Sequence, residues 1–537
     1  MILNDAGLKD RNAWKKAGFE LPQFDRAAVR ETTMKNPVWL HFGAGNIFRG
    51  FPAALQQKLL NEGKSDKGII VCEGYDTEII DRIYQPHDNL SVLVVLKPDG
   101  NMEKKVIGSV VESLTVESSK PDNWKALKDI FANPSLQMVS FTITEKGYGL
   151  TNAKGEYYPD VASDFEAGTA FPKSFIGKLA SLCHARYQSG KYPVSLVSMD
   201  NCSHNGTRLY QAVSVFAKEW AKRGLVENGF VEYIENPEKV AFPWSMIDKI
   251  TPRPDLGVKE MLDKSGLEST EIITTSKNTY IAPFVNAEEP QYLVVENLFP
   301  NGRPPLEDAG VIFTDRDTVD KVEKMKVCTC LNPLHTVLAI YGCILGYKAI
   351  YEEMKDPQLK AFIEKVGFVE GLPVVINPGI VSPEAFIREV VDVRLPNPFV
   401  PDTPQRIATD TSQKLAIRFG ETIKAYQKRS DLKVSDLKYI PLVFAGWLRY
   451  LLAVDDDGQP FTLSPDPLLD HLKKIVEGIS LGDKGSFDEK LKPILSDASI
   501  FGVNLYEAGL SEQVLGYFGE MIEGPGAVRA VLKKYLS

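Results

Sequence analysis

The chain has 537 residues, too many for one ordinary hydrophobic core, and this length predicts two domains. Its composition, 44% hydrophobic and 25% charged, is that of a soluble globular protein. The net charge of −9 argues against a general nucleic-acid binder, whose surface would be basic, but it leaves room for a local basic pocket.

The cysteines and the N-terminus indicate the compartment. Six cysteines are scattered through the chain, which fits reduced thiols better than a disulfide framework. Cys328 and Cys330 are too close together for a usual zinc pair and no second pair follows, so we expect no metal. No signal peptide and no apolar run of about 18 residues is visible. These features predict a cytoplasmic protein that neither spans nor binds a membrane.

A glycine motif follows the first apolar run. Residues 38–42 read as a buried strand, and helical spacing begins at residue 51. Between a strand and a helix, glycines let the backbone approach a pyrophosphate. The expected cofactor contacts are therefore Gly43, Ala44, Gly45, Asn46 and Ile47. The spacing G-x-G-x-x-x-x-G departs from the standard dinucleotide pattern, and a plain glycine-rich turn is the alternative.

An acid ends the second apolar run, residues 68–73. Glu73 lies about 28 residues beyond Gly45, where an acid binds the ribose hydroxyls of NAD and repels the 2′-phosphate of NADP. The sequence therefore predicts NAD as the cofactor.

Later apolar runs alternate with helical patterns. Runs at residues 90–96, 138–144 and 194–199 are short and rich in β-branched residues, and helical stretches separate the later ones. This alternation predicts an α/β sheet whose ligands lie at the carboxyl ends of its strands. Thr144 and the pair Asp200-Asn201 fall at such ends, although they are also common turn residues.

Beyond residue 285 helical periodicity dominates. We place the boundary so that residues 1–290 form an α/β dinucleotide-binding domain and residues 291–537 a mostly helical domain. The predicted helices cover 333–354, 358–366, 383–391, 411–428, 438–454, 466–478 and 511–535.

Residues 323–335 concentrate the polar side chains of this half. Glu323 and Lys326 are three residues apart, as are Asn332 and His335, so each pair would share a helix face. A cluster of this kind is either a catalytic centre or the charged end of an ordinary helix.

Several segments together resemble the polyol-specific long-chain dehydrogenases, the mannitol dehydrogenase family. The resemblance covers nearly the whole chain, and its segments occur in the expected order: residues 41–51, 144–148, 200–206, 242–252 and 332–335. It implies an N-terminal Rossmann-type domain and a mostly α-helical C-terminal domain, with the active site between them and no catalytic metal.

The resemblance also implies roles for individual residues. Lys326 would be the general acid/base, with Asn201 and Asn332 holding the reacting oxygen. His335 would orient substrate hydroxyls and Glu323 would assist proton passage. It further implies Thr144 and Asp248 beside the cofactor and Asn205 at the substrate; for Asp248 a structural role is the alternative.

One spacing departs from the family pattern. The family places its asparagine five residues after the lysine, but Lys326 is six residues before Asn332. The Glu323–Lys326 spacing does match, which favours Lys326 with one inserted residue in 327–331, and Lys324 is the alternative. An insertion rotates a helix by about 100° unless a bulge absorbs it. We therefore expect an irregular segment here and a regular helix only from about Asn332.

The substrate segment resembles the uronate reductases of this family at residues 412–415, with Arg418 soon after. Thr409 stands where the polyol dehydrogenases tend to carry a histidine, and Arg406 with Lys414 could bind a carboxylate as a charge-assisted pair. Alternatively, these cations only decorate the start of a helix.

We expect an NAD-dependent oxidoreductase that interconverts a keto sugar acid and its hydroxy acid. The preferred pair is D-fructuronate and D-mannonate. The alternatives are a tagaturonate reductase, a mannitol 2-dehydrogenase and a non-catalytic dinucleotide sensor. The expected partners are small molecules, sugar acid or polyol, without nucleic acid, and the chain would be a monomer or small homo-oligomer.

Overall fold

The computed structural model describes residues 1–152, 154–399 and 402–536. The chain forms two compact units, Met1–Asp320 and Lys321–Ser537. The fifteen strands found in the described ranges all belong to the first unit, and in chain order they are β1 Phe19–Glu20, β2 Trp39–Phe42, β3 Ile69–Glu73, β4 Ser91–Leu96, β5 Met102–Ile107, β6 Val110–Thr115, β7 Met138–Phe141, β8 Val194–Ser198, β9 Val240–Ala241, β10 Ser245–Asp248, β11 Ile273–Thr274, β12 Tyr280–Ile281, β13 Phe284–Glu288, β14 Tyr292–Glu296 and β15 Ile312–Thr314.

A six-stranded parallel sheet forms the centre of the first unit. Its strand order is β6-β3-β2-β7-β8-β9, so the chain starts in the middle, builds one half and then returns to build the other. This is the doubly wound order of dinucleotide-binding folds, in which ligands bind at the carboxyl ends of the two strands beside the reversal. Here those strands are β2 and β7. The prediction of an α/β fold is confirmed.

Helices cover both faces of this sheet because both faces of its strands are apolar. Leu40 and Phe42 pack on one face of the sheet and Trp39 on the other, as a two-residue period requires. The helices of this unit are α1 Arg11–Lys16, α2 Arg26–Lys35, α3 Asn46–Gly50, α4 Pro52–Asn61, α5 Pro121–Ala132, α6 Pro159–Ala167, α7 Phe175–Gln188, α8 Asn205–Lys222, α9 Asn228–Glu235 and α10 Leu256–Lys264.

The remaining strands form three smaller sheets. The hairpin β4–β5 joins β1 and β13 in a four-stranded sheet, so the apolar run at residues 90–96 is a strand but not part of the central sheet. Strands β11 and β12 form a two-stranded sheet. Strand β10 pairs with β14, and β14 with β15. The sequence analysis placed residues 291–320 in the helical domain, but they pack with the first unit.

The elements of the second unit, in its described residues, are helices joined by loops, with one isolated β-bridge between Val454 and Pro460. Helix α11 Arg316–Met325 contains the division between the units, and the later helices are α12 Asn332–Ile344, α13 Ile350–Glu353, α14 Pro357–Glu364, α15 Pro383–Glu389, α16 Pro404–Ile407, α17 Glu421–Lys428, α18 Tyr439–Tyr450, α19 Leu469–Val476, α20 Asp488–Leu495, α21 Ala498–Phe501, α22 Ser511–Met521 and α23 Ala527–Leu536.

Two predicted long helices are each divided by glycine. The prediction of one helix over 333–354 is wrong because α12 ends at Ile344 and Gly346 adopts a φ of +77°, which a helix cannot continue through. The predicted helix 511–535 is likewise two helices, since Gly524 and Gly526 lie between α22 and α23 with positive φ.

Four π-helical turns interrupt the helices of the second unit. Each π turn admits one more residue than an α-helical turn, and such turns are frequent at functional sites. Their ranges, within the described residues, are Lys326–Cys330, Lys365–Gly371, Val390–Arg394 and Ala416–Gly420.

One continuous helical stretch, Arg316–Ile344, is long and apolar enough to cross a membrane by length and composition. However, 78% of its apolar window is buried inside the protein. Burial of this extent is typical of the core helix of a globular unit.

A buried histidine joins β2 to β7 at the reversal of the sheet. His41 Nδ1 lies 2.6 Å from Ser140 Oγ and Nε2 lies 2.9 Å from Thr142 Oγ1, while the ring stacks on Phe48 at 4.1 Å. Burial lowers the pKa of His41 to about 3, so the imidazole is neutral at pH 7.

The neutral His41 predicts a loss of stability in acid. Its pKa is lower when folded than the ordinary value of 6.5, so the unfolded chain takes up more protons and stability falls as the pH falls from 6.5 toward 3. Between pH 7 and pH 5 we expect His41 to contribute a loss of about 2 kcal/mol in the free energy of unfolding.

Urea unfolding of wild type and His41→Asn at both pH values measures this contribution. The variant should lose about 2 kcal/mol less than wild type over the same interval, whatever its stability at pH 7. Equal pH dependence of the two proteins would show that His41 is not held neutral by the fold.

Candidate active site

The glycine turn lies at the carboxyl end of β2, beside the reversal of the sheet. Gly43 has a φ of +107°, and a Cβ there would meet the carbonyl oxygen of Thr142 at 2.2 Å, so only glycine fits. Gly45 is extended and precedes α3, and a Cβ there would meet nothing within 4 Å. The backbone of this turn is thus open toward a ligand, as the approach of a pyrophosphate requires.

Glu73 links this turn to the next strand. It ends β3, and its carboxylate accepts hydrogen bonds from the backbone N–H of Ala44 at 2.8 Å and from those of Gly74 and Tyr75 at 2.9 and 2.8 Å. The structure therefore places Glu73 beside the glycine turn, as its predicted ribose role requires. The turn and the acid together fit an adenine dinucleotide.

Thr144 and Asp200 lie at the carboxyl ends of the neighbouring strands β7 and β8. The Asp200 carboxylate accepts the N–H of Ile143 at 3.0 Å, that of Thr144 at 2.8 Å and the hydroxyl of Tyr148. Burial raises the pKa of Asp200, against these hydrogen bonds, which lower it. Thr144 has a φ of +66°, a conformation that costs of order 1–3 kcal/mol in a residue with a side chain. Asp200 holds this strained loop, and the exposed Asn201 follows directly.

Asn205 has a different place from the one predicted. Its side chain is 1% exposed, its amide nitrogen donates to the carbonyl oxygens of Asp200 and Ser245 at 3.0 and 2.9 Å, and its amide oxygen accepts the N–H of Ser245 at 3.0 Å. This side chain joins the Asp200 loop to β10 and offers no polar atom to a substrate. The structure thus makes Asn205 a positioning residue, because its hydrogen bonds are already formed within the protein.

Asp248 ends β10, opposite Tyr292 of β14, and is 6% exposed. It lies in the small sheet and not in the central one. It lies within the segment 242–252 that the sequence singled out.

The second unit carries the lysine and its neighbours. Helix α11 ends at Met325, the π turn begins at Lys326, and α12 begins at Asn332. Lys326 is 3% exposed, whereas Lys324 is exposed. The irregular segment and the helix start that the sequence predicted are confirmed, and the π turn accounts for the one extra residue between Lys326 and Asn332. Glu323 lies half-buried one turn before Lys326.

His335 lies on the first turns of α12 among charged groups. Its Nε2 is 3.9 Å from a carboxylate oxygen of Asp402, and it has no hydrogen-bond partner within the described part of the chain. Burial lowers the pKa of His335 to about 4; Asp402 raises it, and the positive charges of Arg418, Arg406 and Arg394 lower it. The imidazole is therefore neutral at pH 7 and keeps a buried nitrogen for a ligand.

The two cations predicted to bind a carboxylate are both engaged elsewhere. Arg406 forms a two-pronged ion pair with Asp402, its Nε lying 2.6 Å from the carboxylate, and its side chain is 70% exposed. Lys414 donates to the backbone carbonyl oxygens of Thr409 and Ile407. Burial lowers the pKa of Lys414 to about 8.

Sequence reasoning did not assign the other charged residues of this cluster. Arg394 and Arg418 lie on two of the π turns, and Asp402 follows residues outside the described ranges. Arg418 is four residues after Lys414, a helical spacing that could have marked it. No sequence motif contains Arg394 or Asp402, so the sequence alone does not mark them. Among the described residues, no group of three or more His, Cys, Asp and Glu side chains could hold a metal ion.

A doubly wound nucleotide-binding unit followed by a helical unit with a buried lysine is the arrangement expected of a dinucleotide-dependent oxidoreductase that acts on a CH–OH group. Residues 38–307 match the mannitol dehydrogenase Rossmann domain, and residues 318–520 match the mannitol dehydrogenase C-terminal domain. The chain therefore belongs to the mannitol dehydrogenase family.

Three known proteins show how far this similarity extends. The chain is 55% identical to a D-mannonate oxidoreductase of Thermotoga maritima over 99% of both chains. It is 26% identical to mannitol 2-dehydrogenase of Pseudomonas fluorescens, solved as a ternary complex with NAD and D-mannitol, with a TM-score of 0.70 over 100% of this chain and 99% of that one. A D-sorbitol dehydrogenase, 23% identical, shares the fold with a TM-score of 0.80 over 99% and 100%.

The hydrogen bonds of Asn205 predict a loss of stability when they are removed. Asn205→Ala leaves a buried N–H and several carbonyl oxygens without their partner, which should lower the free energy of unfolding by about 2–4 kcal/mol. The KM of the folded enzyme should change little.

Asn201→Ala is the matched control, since Asn201 is exposed. It should leave the unfolding free energy within about 0.5 kcal/mol of wild type. Denaturant unfolding and steady-state kinetics of both variants measure the difference; a raised KM with normal stability for Asn205→Ala would restore its substrate role.

Proposed function

We propose that this protein is an NAD-dependent oxidoreductase that interconverts D-mannonate and the corresponding keto sugar acid, D-fructuronate. The observation that carries the proposal is the 55% identity with a D-mannonate oxidoreductase, which extends over 99% of each chain and so covers both compact units. We assign cofactor binding to the first unit and substrate binding and proton transfer to the second.

The glycine turn and Glu73 would hold NAD. Gly43, Ala44, Gly45, Asn46 and Ile47 would line the pyrophosphate, and Glu73 would accept hydrogen bonds from the adenosine ribose. Thr144 and Asp248 would support the cofactor from neighbouring strands. When bound, NAD accepts the hydride from the alcohol carbon and NADH returns it to the ketone.

Lys326 would move the proton of the reacting hydroxyl. In the oxidative direction its amine takes this proton as the hydride leaves the carbon that bears the hydroxyl. In the reductive direction its ammonium returns a proton to the oxygen. Its burial supports this role over Lys324, which is exposed. Glu323, one turn earlier, would pass the proton between Lys326 and solvent.

Amide and imidazole groups would hold the substrate. Asn201 and Asn332 would donate hydrogen bonds to the reacting oxygen and stabilise the negative charge that develops there. His335, neutral at pH 7, can both donate to and accept from substrate hydroxyls. We further propose a cytoplasmic enzyme, monomeric or a small homo-oligomer, whose helix Arg316–Ile344 belongs to its core.

A substrate panel tests the proposal. With NADH, we expect reduction of D-fructuronate at a kcat/KM at least about 10-fold above that for D-tagaturonate or fructose, since one misplaced polar group costs about 1.4 kcal/mol or more. NADP should support oxidation of D-mannonate at least about 10-fold less well than NAD, because Glu73 repels its phosphate.

Oxidation of mannitol without turnover of any sugar acid would instead identify a mannitol 2-dehydrogenase. Preference for tagaturonate would identify a tagaturonate reductase. A protein that binds NADH but turns over none of these compounds would be a dinucleotide sensor.

Substitution of the two lysines tests the assignment of the general base. Lys326→Ala should lower kcat by at least about 100-fold, as expected for loss of a general acid/base, and leave the Kd for NADH within about twofold. Lys324→Ala is the matched control and should retain most of the activity. Fluorescence titration with NADH and stopped-flow turnover give both values; the reverse pattern would move the catalytic role to Lys324.

A further inference from the structure

Arg418 lies in the same cluster as His335 but differs from the other cations. It is on the π turn Ala416–Gly420, which packs against the π turn Lys326–Cys330 and against α12. This inference rests on the proposed function, because it concerns the substrate that the same site takes.

No carboxylate in the described ranges compensates the charge of Arg418. Burial lowers the pKa of Arg418 to about 10, so the guanidinium remains charged at pH 7. Its Nη1 donates to the hydroxyl of Thr336, a neutral group. Within the residues that the structure describes, Arg418 forms no ion pair with a carboxylate. A partly buried cation of this kind is unfavourable unless an anion joins it.

The neighbouring cations Arg406 and Lys414 already have two hydrogen-bond acceptors each. Asp402 neutralises Arg406, and the backbone carbonyl oxygens of Ile407 and Thr409 accept hydrogen bonds from the ammonium of Lys414. The Nε2 of His335, in the same cluster, also lacks a hydrogen-bond partner in the described ranges. An unpaired guanidinium and an unpaired imidazole nitrogen in one cluster match the carboxylate and a hydroxyl of a sugar acid.

Thr336 fixes the direction of the guanidinium. Its hydroxyl accepts from Arg418 and donates to the backbone carbonyl oxygen of Asn332 at 2.8 Å. Arg418 is thereby connected to the turn of α12 that carries Asn332 and His335. A carboxylate held by Arg418 would have a defined position relative to both.

We propose that Arg418 binds the carboxylate of the sugar acid and is the residue that selects sugar acids over polyols. Arg406 and Lys414 shape the surrounding segment and leave this contact to Arg418. The carboxylate is at the other end of the sugar chain from the keto group, so the contact is made equally in the ground state and the transition state. Its loss therefore raises KM more than it lowers kcat.

The test compares D-mannonate with its neutral amide, in which the carboxylate charge is absent. Calorimetric titration in the presence of NADH measures the Kd of each compound, and steady-state kinetics measure KM and kcat. Wild type should bind the acid about 30-fold more tightly than the amide, as expected for a partly buried charge pair. Arg418→Gln should reduce this ratio to below about threefold and raise the KM for the acid about 30-fold.

Matched variants separate charge from position. Arg406→Gln should keep the acid-to-amide ratio within about threefold of wild type, since its charge is neutralised by Asp402. Arg418→Lys keeps the charge and should restore part of the ratio. Thr336→Val keeps the guanidinium but removes its acceptor, and should lower the ratio about threefold even if Arg418→Gln does not fold.

The outcomes distinguish this inference from the proposed function. A wild type that binds the acid no more tightly than the amide overturns the inference, whatever it turns over. Loss of the ratio in Arg406→Gln but not in Arg418→Gln overturns it as well. A wild type that binds the acid more tightly through Arg418 but does not oxidise D-mannonate supports the inference while the proposed reaction fails.

Discussion

The π turn at Lys326–Cys330 is the constraint on which the second unit depends. It admits one more residue than an α-helical turn and so lets Lys326 remain buried at the end of one helix while Asn332 and His335 begin the next. Without it, the extra residue would rotate the preceding helix by about 100° relative to α12. The π turn at Ala416–Gly420 packs against it and carries Arg418. Two π turns in contact thus determine where Lys326 and Arg418 lie in this unit.

The first unit uses buried polar side chains for a comparable purpose. His41 joins β2 to β7 at the start of the glycine turn, Asp200 holds the loop with the strained Thr144, and Asn205 joins that loop to β10. Each of these groups is almost completely enclosed and has its hydrogen bonds within the protein, which is the condition for a buried polar group to add rigidity at an acceptable cost. The carboxyl ends of the central strands are therefore rigid where a cofactor would contact them.

Local signals in the sequence identified the glycine turn and the central strands β2, β3, β7 and β8, but they missed β6 and β9 and placed residues 90–96 in the same sheet. Short apolar runs ended by glycine or an acid identify buried strands, and the strained Gly43 lies where the motif placed it. The departure of one residue between Lys326 and Asn332 also predicted an irregular turn. Gly346 lies inside the predicted helix 333–354. The helical periodicity on both sides of this glycine favoured one helix, whereas α12 ends before it. The roles of Asn205 and Arg418 could not be predicted, because residue type does not show which hydrogen bonds a side chain has already formed.

The cations of the second unit show why that distinction matters for the substrate. Arg406 and Lys414 have the residue types that a carboxylate site requires, yet one is paired with Asp402 and the other is bound to carbonyl oxygens. Asp402 occupies the Nε and Nη2 edge of Arg406, so a substrate carboxylate would have to displace it to form a two-pronged pair there, and the exchange of one carboxylate for another yields little net energy. Arg418 has no such competitor among the described residues, so a carboxylate there adds an ion pair where the free protein has only a hydroxyl. Affinity for an anion thus follows from the charge that the fold leaves unpaired and not from the number of cations nearby.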